Sequence, residues 1–446
     1  MNRNDRAITA LVMIAHAMVH TYEMAFPIFV TIWLLEFETL SLGFTSFAVN
    51  EATLGVVLTI GYGLFGLGAL PGGVLVDRIG SRKLITACLA GMGGSYLLLG
   101  LSPSLLAVAA AIVLWGVAAS VYHPAGLSLI SKGVRERGSG FAYHGIAGNL
   151  GIGLGPLVAA ILLLLFDWRS VALALSIPAL LAAVFAHRAR FDPEAAVQRP
   201  DETAPDARAG DAAADGGSKA ESGVQSISEF LTESKRLFAG SFVFVFLIVM
   251  FSGLYYRGVL TFLPELLRAL PGFEAIPIAD LLPAPVADLL GVDPADGETL
   301  EPGDYFYAGL LMIGVVGQYI GGKLTDRFPV EYGIAGAFGM LGVLALSFPI
   351  VSGMGLGPLA VFGVFLGVFL FVVQPMYQAT VAEYTPPGTR GLSYGYTYLG
   401  VFGVGSLGAA VAGTVLAYAD STALFFVLAA FAASASLLGL YLARSR

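Results

Sequence analysis

Apolar residues run without alternation for long stretches of this chain, and polar residues gather in the short gaps between them. Twelve such runs cover 8–33, 52–76, 84–101, 105–131, 139–166, 169–188, 240–264, 304–325, 331–352, 357–382, 390–418 and 421–443. Most reach the roughly 20 residues that a helix needs to cross a bilayer. The third is short, and the break between the fifth and sixth rests on Asp167, Trp168 and Arg169. Lipid offers no partner to an open backbone, so unbroken apolar runs predict helices. Two stretches interrupt the pattern. Residues 190–225 are rich in Asp, Ala, Pro, Gly and Ser and predict a disordered linker. The following SISEFLTESKRLF (226–238) predicts a short amphipathic helix lying at the membrane face. Residues 266–303 form a long acidic loop whose fragments PIADLL and APVADLLG predict short helices.

Composition agrees with this reading. Only 12% of the 446 residues are charged, against roughly 25% in soluble domains. Moreover, 26 of the 54 Asp, Glu, Lys and Arg fall within 189–236 and 265–304. Too little charge remains to solvate the rest, which excludes a soluble enzyme, a nucleic-acid binder and a disordered scaffold. The single cysteine, Cys88, excludes an internal disulfide and a cysteine-based metal site. The first apolar run is too long for a signal core and is expected to stay as a span. With the N-terminus inside, 20 of the 23 Lys and Arg lie on the cytoplasmic side. Arg169 and Arg268 fall outside, and Arg257 falls within a span. This asymmetry places both termini in the cytoplasm. The expected location is the cell membrane.

The chain also repeats itself. Gly68, Gly72, Gly73, Leu75, Asp77 and Arg78 recur as Gly317, Gly321, Gly322, Leu324, Asp326 and Arg327, at an offset of 249. Gly116, His123 and Pro124 recur as Gly367, Gln374 and Pro375 at offset 251. Arg137, Gly138, Tyr143 and Gly155 recur as Arg390, Gly391, Tyr396 and Gly408 at offset 253. The fold class expected is therefore all-α: twelve transmembrane helices in two pseudo-symmetric six-helix bundles. The first bundle covers 1–189, the linker 190–238 and the second bundle 239–446. Two related halves leave a cleft between them and can rock about it.

The motif GGVLVDRIGSRK (72–83), with its degenerate copy GGKLTDRF (321–328), resembles the signature of the major facilitator superfamily. The pentapeptide YHPAG (122–126) resembles fosmidomycin-resistance-type members of that superfamily. The resemblance implies alternating access. It also implies an inner gate built from Gly73, Asp77, Arg78, Arg82, Asp326 and Arg327. Asp77 would cap a helix across the domain boundary, as the family's aspartate does. A plain positive-inside loop is the alternative. Ala147, Gly151, Gly155 and Ala159 form a small-residue stripe that resembles the helix-five motif of proton-coupled drug exporters, with Ala159 in place of a glycine. Generic close packing gives the same pattern.

Ionisable groups inside spans are expensive and usually line a cavity. His16, His20 and Glu23 share one face of the first span. Arg257 lies in the seventh, and a Glu23–Arg257 pair across the cleft is expected. His123 and His144 sit in the fourth and fifth spans, and Gln374 and Gln378 hold the matching position in the second half. Asn149, Gln318, Tyr377, Tyr394 and Tyr398 are further polar candidates. Glu23 is the expected proton-coupling group, with His16 and His20 able to relay the proton. Arg257 suits an anionic group, while His123, Gln374 and Gln378 supply hydrogen bonds. The expected function is a secondary transporter moving a small organic solute or anion, leading with proton-coupled export. Import by symport or uniport, or a non-transporting receptor of the same fold, remains open. Partners are the solute, protons and the lipid bilayer, with no nucleic acid, no cofactor and no metal. A monomer is expected.

Overall fold

A computed structural model describes residues 1–196, 227–281, 299–386 and 389–445. Their order is α1 (Arg3–Glu36), a hairpin of β1 (Thr39–Ser41) and β2 (Ser46–Ala48), α2 (Glu51–Leu67), α3 (Ala69–Ile79) and α4 (Ser81–Gly100). There follow α5 (Leu105–Ser120), α6 (Tyr122–Gly133), α7 (Arg137–Leu162), α8 (Trp168–Arg188) and α9 (Ile227–Phe238). The second half holds α10 (Phe242–Leu260), α11 (Leu263–Arg268), β3 (Ile276–Pro277), α12 (Ile278–Leu281), β4 (Thr299–Leu300) and α13 (Pro302–Thr325). It closes with α14 (Val330–Val351), α15 (Leu356–Tyr384), α16 (Arg390–Tyr398), α17 (Leu407–Tyr418) and α18 (Ser421–Arg444).

Among the described residues, eleven helices are long and apolar enough to cross a membrane. The pair α2 and α3, bent by 46°, makes a twelfth span. Helices α5 and α6 form one such span, as do α16 and α17. The result is a twelve-span helical membrane protein in two six-helix bundles. An even number of spans puts both chain ends at one face of the bundle, the terminal end; the other face is the far end.

Two pairs of the repeated glycines mark where these helices touch. A Cβ on Gly116 would lie 2.2 Å from the Gly61 carbonyl oxygen, and one on its repeat partner Gly367 would lie 2.5 Å from the Leu310 carbonyl oxygen. Likewise Gly155 abuts α1 at Thr21, and Gly408 abuts α10 at Leu254. Each half therefore seats its fourth span on its second and its fifth on its first, backbone to backbone. Such contact needs residues without a side chain. Gly151 of the small-residue stripe is used in the same way, against Ala17 of α1, and Ala159 is buried. Cys88 is free and buried in this core.

Two features depart from the sequence reading, and one expected helix is found at its place. The linker does not begin as free chain. Asn4 bonds Asp192 in both directions, Arg82 donates to Ala189 O at 2.9 Å, and Ala196 N donates to Lys132 O at 3.0 Å. Residues 190–196 thus dock onto the terminal end; 197–226 lie outside the described residues. The far-end connections contain strands: β1 pairs with β2, and β3 pairs with β4. Of the two helices expected in the loop, α12 covers the first, and 284–291 lie outside the described residues. The amphipathic helix α9 packs on the second bundle, where Tyr396 donates to Ser234 Oγ at 2.9 Å and meets the Phe238 ring edge-on.

Candidate functional site

The two bundles meet along two lines. On one side α2 lies against the eleventh span: Gly55 faces Ala409, Gly66 faces Gly403, and Gly413 faces Glu51. On the other, α7 lies against α13 through Gly153 and Met312. Between these lines the first helices of each half, α1 and α10, carry the charged groups.

There Arg257 Nη2 donates to Glu23 Oε1, joining the bundles by an ion pair. The two residues are 2% and 1% exposed, which excludes a position facing lipid or bulk water. Arg257 also lies 3.8 Å over the Tyr62 ring, a cation–π contact that stabilises a desolvated guanidinium. Its Nε is buried without a hydrogen-bond partner, so donor capacity is left over.

Glu23 continues into a histidine cluster. His20 Nδ1 lies 2.5 Å from Glu23 Oε2, and His20 Nε2 lies 3.1 Å from His16 Nε2. His16 Nδ1 lies 2.7 Å from the His144 carbonyl, with the two rings stacked at 3.8 Å. One helical face of α1 brings His16, His20 and Glu23 together, as their spacing requires. His123 joins from the first turn of α6, edge-on to His16 at 5.3 Å. The span is broken there between Ser120 and Tyr122, and Pro124 follows. One nitrogen each of His16, His20 and His123 lies within 4.8 Å of the others, so three ligands from two spans could approach a metal ion. Sequence spacing could not show this set, because His123 comes from a distant span.

A second polar chain crosses the α7–α13 line. Asn149 donates to Gln318 Oε1 at 2.5 Å, and Gln318 donates to Gln374 Oε1 at 2.7 Å. Gln374, the repeat partner of His123, is thus tied to the first bundle. Gln378 is exposed on α15 and stands apart from this chain, as does Tyr394 on α16. Tyr377 is buried on α15, and the Tyr398 ring lies tilted against His123 at 4.9 Å.

The expected gate residues are not assembled into one contact. Asp77 accepts from Lys132 Nζ at 3.2 Å, within its own bundle, instead of capping a helix of the other half. Both partners are about half exposed. Gly73, Arg78, Asp326 and Arg327 are exposed, and Arg82 holds the Ala189 carbonyl. Here the bundles touch through Leu70 and Gly395.

One element was missed in the sequence. The eleventh span carries a π-helical turn at Leu399–Gly403 and a 3₁₀ turn at Val404–Ser406. The irregularity leaves Ser406 O and Ala410 N open, and the Thr59 hydroxyl donates to the first and accepts from the second, both at 2.9 Å. Glycines 400, 403, 405 and 408 crowd this stretch, and such insertions often mark functional positions in helices.

The Major Facilitator Superfamily matches residues 9–287, well over half the chain. The chain belongs to that superfamily. The chain is similar to the uncharacterized MFS-type transporter YfnC of Bacillus subtilis, 32% identical over 114 residues, 25% of this chain and 26% of that one. The human voltage-gated purine nucleotide uniporter SLC17A9 is 33% identical over 132 residues, 28% of this chain and 30% of that one. The matched stretch thus spans less than a third of either relative. Among solved structures, the nucleoside transporter NupG superposes with a TM-score of 0.68 at 12% identity, covering 97% of this chain and 99% of its own. The D-xylose-proton symporter gives 0.64 at 16% identity, covering 98% and 97%. These likenesses establish the fold.

Proposed function

We propose that this superfamily member moves a small organic solute or anion by alternating access, its two bundles rocking about the Glu23–Arg257 pair. The observation that carries this reading is the pair itself. It is a buried ionic contact joining the first helix of one half to the first helix of the other. A charge removed from water is costly unless partnered, so the pair holds the bundles together until something replaces one partner. An anionic solute replaces Glu23 at Arg257, whose free Nε can add a second hydrogen bond. A proton replaces Arg257 at Glu23. The purine nucleotide named for the human relative is an anion, which supports the same reading.

Export by proton antiport is the leading mode, on the small-residue stripe of α7 and the fosmidomycin-resistance-type pentapeptide. The basic terminal end faces the cytoplasm, the protein resides in the cell membrane, and it works as a monomer. Proton symport, named for one structural neighbour, and uniport, named for the human relative, are the second reading. A receptor without flux is the third. A thermal-shift screen of the purified protein finds the solute, since a ligand of the folded state raises the melting point. Counterflow of that solute in vesicles, with and without an imposed pH gradient, then separates the modes. Gradient-driven accumulation supports coupling, gradient-independent counterflow means uniport, and no counterflow leaves the receptor.

A further inference from the structure

At the far end the two bundles border a cavity of about 410 Å³. One wall is apolar and comes from the first bundle: Ile28 and Ile32 of α1, with Leu163 and Phe166 just after α7. The opposite wall is polar and comes from the second bundle: Arg268 at the end of α11, and Glu301, Asp304 and Tyr305 around the start of α13. Gly303 seats that start on α11, where a Cβ would lie 3.1 Å from the Pro264 carbonyl oxygen. Beside the cavity Tyr305 donates to Ala160 O at 3.4 Å, which ties the bundles there.

The carboxylates lining this cavity differ in what they hold. Asp167 accepts from the backbone N–H groups of Arg169 and Ser170 and from the Ser170 hydroxyl, so it is spent on capping α8. Glu301 accepts from the Thr299 hydroxyl at 2.8 Å and faces Arg268 Nη2 at 3.0 Å. Asp304 is 8% exposed, and its carboxyl has neither a hydrogen bond nor an ion pair among the described residues. Arg268, the one cation lining the cavity, is engaged by Glu301. Glu265 on α11 adds a further negative charge near Asp304, and its Oε2 is buried without a hydrogen-bond partner. Three carboxylates thus share one guanidinium. A carboxylate taken out of water is expensive unless a cation or a donor meets it.

We propose that this cavity binds an organic cation, an ammonium group carried on an apolar body. The ammonium donates to Asp304, supplying the charge-assisted hydrogen bonds that its oxygens lack. The body lies against Ile28, Ile32, Leu163 and Phe166. The volume argues against a bare ion. At about 410 Å³ the cavity falls among small-molecule pockets, roughly 300–1,000 Å³, and exceeds by far the ~30 Å³ of one water. The Glu23–Arg257 pair offers an anion its guanidinium, whereas this site selects the opposite charge; it therefore goes beyond the anion reading and does not rest on it. Because each bundle supplies one wall, the occupant bridges them at the far end.

The test measures binding of 2-phenylethylammonium to the purified full-length protein in lipid nanodiscs by isothermal titration calorimetry, with empty nanodiscs subtracted. Saturable binding at one site is expected. 2-Phenylethanol, which lacks the charge, and 3-phenylpropionate, which inverts it, should bind about tenfold more weakly or worse. Asp304→Asn removes the charge at nearly constant volume and should lower the affinity by about tenfold or more. Asp280→Asn, at an exposed acid of the same end, should leave it unchanged. Ile32→Trp fills the cavity from its apolar wall and should abolish binding with Asp304 intact. The inference is overturned by no saturable binding, by equal binding of the alcohol, or by an affinity that survives Asp304→Asn. Binding that survives Ile32→Trp overturns it as well, so the outcome is decided even where Asp304→Asn does not fold. Calcium binding that is lost in Asp304→Asn, without amine binding, overturns it in favour of a bare-ion site. No flux enters this assay, so failure here leaves the transporter reading standing, and absence of counterflow leaves this site standing.

Discussion

Replacing Arg257 by methionine and Glu23 by glutamine, singly and together, tests the inter-bundle pair by a thermodynamic cycle. The two residues are 2% and 1% exposed, so either single change leaves a charge buried without its partner. Breaking a buried pair in this way costs about 3–5 kcal/mol, whereas removing both partners is close to neutral. For a bundle of this size, about 3 kcal/mol corresponds to roughly 6–12 °C in melting temperature. The singles are not equivalent. A lone carboxyl neutralises itself with a proton and a lone guanidinium does not. Arg257→Met therefore recovers stability as the pH falls, and Glu23→Gln does not. Thermal unfolding of the four proteins at acidic and alkaline pH reads the cycle. Additive singles of less than about 1 kcal/mol, with no recovery in the double variant, would refute the reasoning, because that is how a solvated pair behaves.

Other substitutions separate packing from chemistry. Gly151→Val places a side chain against the Ala17 carbonyl, where even a Cβ would lie at 2.2 Å; loss of folded protein on size-exclusion chromatography is expected. Gly145→Ala, with nothing within 4 Å of the new Cβ, should leave the melting point unchanged or slightly raised. Thr59→Val breaks both hydrogen bonds to the eleventh span and should lower stability by about 1–3 kcal/mol in a denaturation assay. Asp77→Asn loses only an exposed pair with Lys132 and should shift stability by less than about 1 kcal/mol. A larger shift would mean that Asp77 acts across the bundles.

The spans were legible because lipid imposes a single rule, and the apolar runs follow it. The repeat was legible in part because Gly116 and Gly155, with their partners Gly367 and Gly408, sit where two backbones touch, so the same contact in each half demands the same residue. His16, His20 and Glu23 were legible as one face of α1. What the sequence hid was every relation between distant spans. His123 and His144 join that face only through the packing of α6 and α7, and Gln318 joins Asn149 to Gln374 from three different spans. Asp77 shows the converse. A motif fixes where a residue lies in its loop, but its partner depends on which charged side chain the folded loop reaches, here Lys132. The π-helical turn was hidden because a glycine-rich stretch is also compatible with a straight helix closely packed.

Distances between the bundles at both ends of the molecule test the account most directly. Ile79→Cys with Phe328→Cys reports the terminal end, and Phe44→Cys with Tyr418→Cys the far end; all four positions are exposed, while Cys88 is buried and spared by the label. Spin-label distances are compared in the native background and with Glu23→Gln added. Alternating access predicts opposite changes, one end widening as the other narrows when the pair is broken. Distances that stay fixed at both ends, or widen together, would contradict it.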